Sequence, residues 1–140
     1  HSYLKAEILL SDGLFEEAVA LIDKIPSHGS PADYPSYVPL IVTNIPFEKD
    51  VFARAYHRSG ELDKAIAEYE RLITFDPRGE ERLLIYPKYH YRLAKLYEEK
   101  GWVGKSIDQY EIFLEIWKDA DEGIAEVDDA RKRLAGLKDQ

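Results

Sequence analysis

At 140 residues the chain is sized for one domain or a short stack of repeats, and it can bury a core without cross-links. It has no cysteine, which excludes a disulfide framework and any thiolate metal site. Its formal net charge of −8 argues against a general nucleic-acid binder, which needs a basic face to collect phosphates. No apolar run approaches the about 18 residues that mark a membrane helix, and no signal-peptide pattern stands at the start. There is no methionine, even at position 1, so the expectation is a piece of a longer, cytoplasmic protein with no membrane partner.

Residues 2–25 hold two short helical patterns, Tyr3, Ala6, Leu9 and Leu10, then Phe15, Ala18, Ile22 and Ile25. Ser11-Asp12-Gly13 between them is a stop signal, and Pro26 closes the second. Residues 27–45 are a proline-rich insertion, expected as a covering loop with a binding lid as the alternative. Asn44 can cap the next helix, which carries Phe52, Ala53 and Tyr56 on one face and breaks at Gly60. Its partner carries Leu62, Ala65, Ile66, Tyr69, Leu72 and Ile73 and ends at Pro77. After a linker, Pro87 opens a helix with His90, Leu93, Ala94 and Tyr97 inward, and Gly101 breaks it. Val103, Ile107, Tyr110, Leu114 and Trp117 then step by four, three, four and three along one face. A turn at Asp119–Gly123, with a cap at Asp121, leads to a last helix carrying Ile124, Val127, Leu134 and Leu137. Asp128, Asp129, Arg131, Lys132 and Arg133 on that helix are expected in water.

Aligning the three breaking glycines exposes a repeat. Seven residues before each stands Ala6, Ala53 or Ala94, and four before stands Leu9, Tyr56 or Tyr97. Five after stands Ala18, Ala65 or Ser106, and nine after stands Ile22, Tyr69 or Tyr110. Two antiparallel helices approach closely only where small residues meet, and the aromatic positions fill the remaining space. Such a hairpin has a face it cannot bury alone, so neighbours must stack.

The pattern small, aromatic, glycine, small, aromatic, proline resembles the tetratricopeptide repeat family. Residues 46–78 carry it at Ala53, Tyr56, Gly60, Ala65, Tyr69 and Pro77. Residues 87–119 carry it at Leu93, Ala94, Tyr97, Gly101, Tyr110 and Leu114, with Ser106 for alanine and Asp119 for proline. Residues 1–26 are a weaker copy whose first helix is cut short. The glycines lie 47 and 41 residues apart, against a family period of about 34, so about 13 and 7 residues are inserted. The resemblance implies an all-α solenoid of three stacked hairpins over 1–140, with a linker at 79–86 and a capping helix at about 123–138. The runs YHYRLAKLYEEKGW, YEIFLEIWKDADEG and EVDDARKRLAGLK are also similar to the ends of tetratricopeptide tails on multidomain bacterial signalling proteins, some with kinase or cyclase domains in front.

Little in the chain reads as chemistry. His1, His28, His57 and His90 lack metal spacing, and His90 reads as a packed, hydrogen-bonded histidine. Asp119–Gly123 resembles a calcium loop, but its glycine comes one place early and Ala130 stands where a bidentate glutamate belongs. Glu16-Glu17 and Glu98-Glu99 are neighbours that diverge on a helix, and read as solvated faces. Trp102, outside the repeat pattern, could shield the hairpin end or touch a neighbouring domain. No catalytic residue, metal or cofactor is expected.

The resemblance implies protein–protein interaction, with the first helix of each hairpin lining a concave groove. The family's groove-facing positions fall on Phe47, Asp50, Arg54, His57 and Arg58, and on Lys88, Tyr91, Lys95, Glu98 and Glu99, with Arg92 adjacent. Arg54, His57, Arg58, Lys88, Tyr91, Arg92 and Lys95 are therefore the expected partner-binding set, suited to an acidic or carboxylate-bearing peptide. The alternative is that the cations pair with Asp50, Glu98 and Glu99. A chaperone-tail specificity is set aside, because Arg54 stands where such readers place an asparagine. A structural role is the other class, with the truncated first repeat stacking on a second copy as a homo-oligomer.

Overall fold

The computed structural model describes residues 2–24, 50–74, 86–120 and 123–139, with the side chains of Ser2 and Tyr3 left aside. Among them are seven helices and no strand: α1 (Ser2–Ser11), α2 (Phe15–Ile22), α3 (Val51–Arg58), α4 (Leu62–Ile73), α5 (Lys88–Glu99), α6 (Val103–Ile116) and α7 (Ala125–Lys138). The fold is an all-α helical repeat. The insertion at 27–45, the caps at Asn44 and Asp121, and the stops at Pro26 and Pro77 lie outside the described residues. The chain divides into two units, His1–Leu84 and Ile85–Gln140.

Three hairpins, α1–α2, α3–α4 and α5–α6, turn in the same way. Gly13, Gly60 and Gly101 have φ of 76°, 85° and 78°, the left-handed region where a Cβ would clash. Each glycine N–H returns to the carbonyl three residues back: Leu10 at 3.2 Å, His57 at 3.1 Å and Glu98 at 3.0 Å. The next N–H reaches one carbonyl further: Leu14 to Leu9 at 2.9 Å, Glu61 to Tyr56 at 2.8 Å, Trp102 to Tyr97 at 2.8 Å. These bonds satisfy carbonyls that the helix end leaves orphaned. One local sequence rule has thus produced one turn three times.

Packing follows the small-residue rule. Ala6, Ala53, Ala94, Ala18, Ala65 and Ser106 are all fully buried. Ser106 replaces the usual alanine at little cost, because its hydroxyl donates to the Ala94 carbonyl at 2.8 Å. In the first unit Ala18, Val19 and Ile22 of α2 pack with Val51, Phe52 and Ala55 of α3, so hairpin 1 stacks on hairpin 2. In the second unit Ala94, Tyr110 and Phe113 pack with Val127, Ala130 and Leu137 of α7. Tyr89 and Leu96 add a buried stripe on α5 beside the expected His90, Leu93, Ala94 and Tyr97.

Candidate functional site

The first-helix residues that the core does not consume form two charged clusters, one in each unit. In the first unit Asp50, fully buried before α3, is the centre. Its Oδ1 accepts from Arg54 Nε at 3.0 Å and its Oδ2 from the Tyr69 hydroxyl at 3.0 Å. The two Arg54 Nη groups reach across to the Glu7 carboxylate of α1, one of them at 3.2 Å. Burial works against the Arg54 charge, but hydrogen bonds and attraction from Glu7 and Asp50 outweigh it and hold the guanidinium above its ordinary value. A carboxylate with both oxygens satisfied, tied to three helices, is a structural lock. His57 and Arg58 lie beyond it, exposed at the end of α3.

In the second unit α5 and α7 face each other through a polar ladder. Lys88 Nζ donates to Glu126 at 2.6 Å, and the Tyr91 hydroxyl donates to Asp129 at 2.6 Å. Arg133 donates to Asp129 at 2.7 Å and to Glu98 at 3.1 Å, and the Tyr110 hydroxyl donates to Glu98 at 2.9 Å. The α5 members and the α7 members both ascend in number, so the two helices run the same way. The spacing i, i+3, i+7 from Glu126 to Asp129 to Arg133 puts all three on one α7 face. Hydrogen bonds from Lys88 and Tyr91 hold Glu126 and Asp129, respectively, below their ordinary range, against the opposing effect of burial. Partial burial and the bond to Asp129 push Tyr91 up to about 12.

The expected partner-binding residues therefore fall into two groups. Arg54, His57 and Arg58 are on α3, and Lys88, Tyr91, Arg92 and Lys95 are on α5, in the other unit. Arg54 and Lys88 each hold a carboxylate of their own unit. Tyr91 spends its hydroxyl on Asp129, and its ring packs 5.4 Å from Phe113 and 6.2 Å from Tyr110. Arg92 is half-buried and adds to the positive potential at Glu126. Lys95 is exposed with its amine 5.4 Å from the Tyr91 ring centroid.

Three expectations need correction. Asp129 and Arg133 do not face open water; they are half-buried in the ladder, while Asp128, Arg131 and Lys132 are exposed. Glu98 is not a solvated partner of Glu99 but an acceptor for Tyr110 and Arg133. Of the pairings anticipated for the cations, Arg54 takes Asp50, but Glu98 takes Arg133 rather than a groove cation of α5. The missed carboxylates, Glu7 and Glu126, were signalled only by a charge opposite to that of the residue they meet on the neighbouring first helix.

Two smaller expectations can be placed. His90 is buried with Nδ1 2.8 Å from Gln109 Oε1, a packed histidine held by a side-chain amide. Trp102 covers the end of hairpin 3, its ring 5.8 Å from Tyr97 and the Lys105 amine 4.6 Å above it. Among the described residues no group of three metal-ligating side chains converges, and no helix is long and apolar enough to cross a membrane.

Comparison with known families bears on hairpin 2. Residues 51–78 match the family model of the tetratricopeptide repeat. The matched stretch begins at the first residue of α3 and contains the whole of α4, so the match and the turn geometry identify the same hairpin. Tetratricopeptide repeats are in general protein–protein interaction modules and are typically not enzymes. Hairpins 1 and 3 share the turn of this matched hairpin bond for bond. No curated protein matches the chain.

Proposed function

We propose that the chain is a protein-binding module that takes an acidic or carboxylate-bearing peptide on the outward positions of its first helices, as a regulatory part of a larger protein. The observation that carries this reading is the division of labour along α3 and α5. Positions required by stacking are buried, and cations remain at positions that stacking does not require. Arg58 and Lys95 are the exposed anchors, with His57 and Arg92 beside them. Arg54 and Lys88 take part by exchanging Glu7 and Glu126 for a ligand carboxylate. An exchange of that kind gains little from charge alone, since a ligand carboxylate only replaces one that the cation already holds. Specificity therefore rests on the exposed cation of each unit, Arg58 on α3 and Lys95 on α5. The test is titration with a fluorescent acidic peptide ending in a free carboxylate. Arg58→Glu with Lys95→Glu is expected to weaken binding about tenfold, and unchanged binding would sink the proposal.

A second reading, self-assembly through α1, is favoured by one observation. Leu4 and Ile8, one turn apart, are 67% and 52% exposed. An apolar face of this kind on a stacking helix is what a neighbouring hairpin would cover. Sedimentation across a hundredfold concentration range separates the readings: a mass that rises with concentration and is held at the monomer by Ile8→Lys supports self-assembly, and a constant mass removes it.

A further inference from the structure

The outward arc of α6 departs from its sibling helices. Eleven residues after the breaking glycine stand Lys24, Arg71 and Ile112, all exposed. Seven after it stand Ala20, Ala67 and Asp108, also exposed. The repeat thus asks for nothing apolar at the first position and nothing acidic at the second, and hairpin 3 supplies both. Ile116, one turn beyond Ile112, lengthens the apolar stretch; the two are 52% and 41% exposed, respectively. An outward helix face is ordinarily polar, and a single exposed isoleucine needs no explanation, but an i, i+4 pair makes a ridge.

Carboxylates surround that ridge. Asp108, Glu111, Glu115 and Asp119 are all exposed on or beside the same arc. Lys138 holds Glu111 at 2.6 Å and Lys118 holds Glu115 at 2.8 Å. Asp108 and Asp119 have no ion-pair partner among the described residues. The geometry points to this face as a docking surface for a basic amphipathic helix of a partner protein, with apolar residues seated on Ile112 and Ile116 and lysines or arginines meeting Asp108 and Asp119. Charge complementarity selects that occupant. A second copy docking by two-fold symmetry would set these carboxylates against themselves, and nucleic acid or an anionic lipid surface would meet the same repulsion. The surface goes beyond the concave-face reading and uses none of its residues.

The probe is a labelled synthetic helical peptide with leucines four apart flanked by lysines, against a control with glutamates in their place. The full chain is expected to bind the lysine peptide saturably and the glutamate peptide at least tenfold more weakly. Ile112→Arg with Ile116→Lys should weaken the lysine peptide about tenfold, since Arg71 shows that the position accepts a cation. Asp108→Asn with Asp119→Asn should weaken it about threefold and flatten its salt dependence. Arg58→Glu with Lys95→Glu should leave it unchanged, which separates this surface from the concave face. Circular dichroism checks that the variants keep their helix content, with Ile112→Ser and Ile116→Ser replacing any that do not. Equal binding of both peptides, absence of saturable binding, or full binding by the ridge variants would overturn the assignment. So would a concentration-dependent mass abolished by the ridge variants, which would give the face to a second copy.

Discussion

Asp50 is the residue on which the first unit's polar structure turns. Both its oxygens are bonded, to Arg54 and Tyr69, and it has no exposed surface. Asp50→Ala would take the charged acceptor away from the buried Tyr69 hydroxyl and from Arg54 Nε, while the Arg54 Nη groups keep Glu7. The expected loss is about 2–3 kcal/mol, read from urea unfolding. Asp50→Asn keeps the shape and one acceptor and should cost less. The family resemblance placed this aspartate among groove positions, because a motif position gives the helix face but not the depth. What hides the side chain is Tyr69, 19 residues on, whose hydroxyl reaches back to it. Tyr91 gives a second test at this scale. Its value, about 12, lies above the ordinary 10.0, so its folded-state contribution is complete below pH 10 and is lost as pH rises toward 12. Stability should fall across that window, and Tyr91→Phe should reduce the fall attributable to this group.

Among the elements, the hairpins were legible and the ladder was not. A glycine that ends a helix in the left-handed region, small residues at the close approach and aromatics beside them are local demands, written within about 35 residues. The α5–α7 ladder joins residues 35 to 38 apart in sequence and depends on the register of α7, which no local rule sets. Only its first step is visible in the sequence: Lys88 and Tyr91 stand three apart on α5, as Glu126 and Asp129 do on α7, whereas Glu98 lies seven beyond Tyr91 and Arg133 four beyond Asp129. Two glycines separate turn from helix. Gly101→Ala should destabilise by about 1–2 kcal/mol, because φ there is 78°. Gly136→Ala, inside α7 with nothing within 4 Å of a new Cβ, should stabilise by about 0.5–1 kcal/mol. Thermal unfolding should order the pair with opposite signs. Acid tests the ladder: Glu126 and Asp129 are depressed from 4.5 and 3.8, so their support is present above those values and is lost as pH falls through the lower folded ones. Trp117 packs against the α7 core cluster. Its fluorescence should therefore change in that window, and Lys88→Ala with Tyr91→Phe should remove most of the dependence on these two carboxylates.

For the whole molecule, each unit builds its own packed scaffold, and the proposal assigns function to residues that packing does not use. The expected groove positions are largely self-satisfied within their own units: Arg54 holds Glu7 and Asp50, and Lys88 holds Glu126. On the proposed reading, the exposed cation of either unit, Arg58 in the first or Lys95 in the second, meets a ligand before these paired groups do. The most direct measurement is the affinity of an acidic, free-carboxylate peptide for the chain and for its Arg58→Glu, Lys95→Glu variant, taken at low and at physiological salt. The account predicts saturable binding that weakens with salt and falls about tenfold in the variant. Equal affinity for the two proteins, or no binding to either, would contradict it.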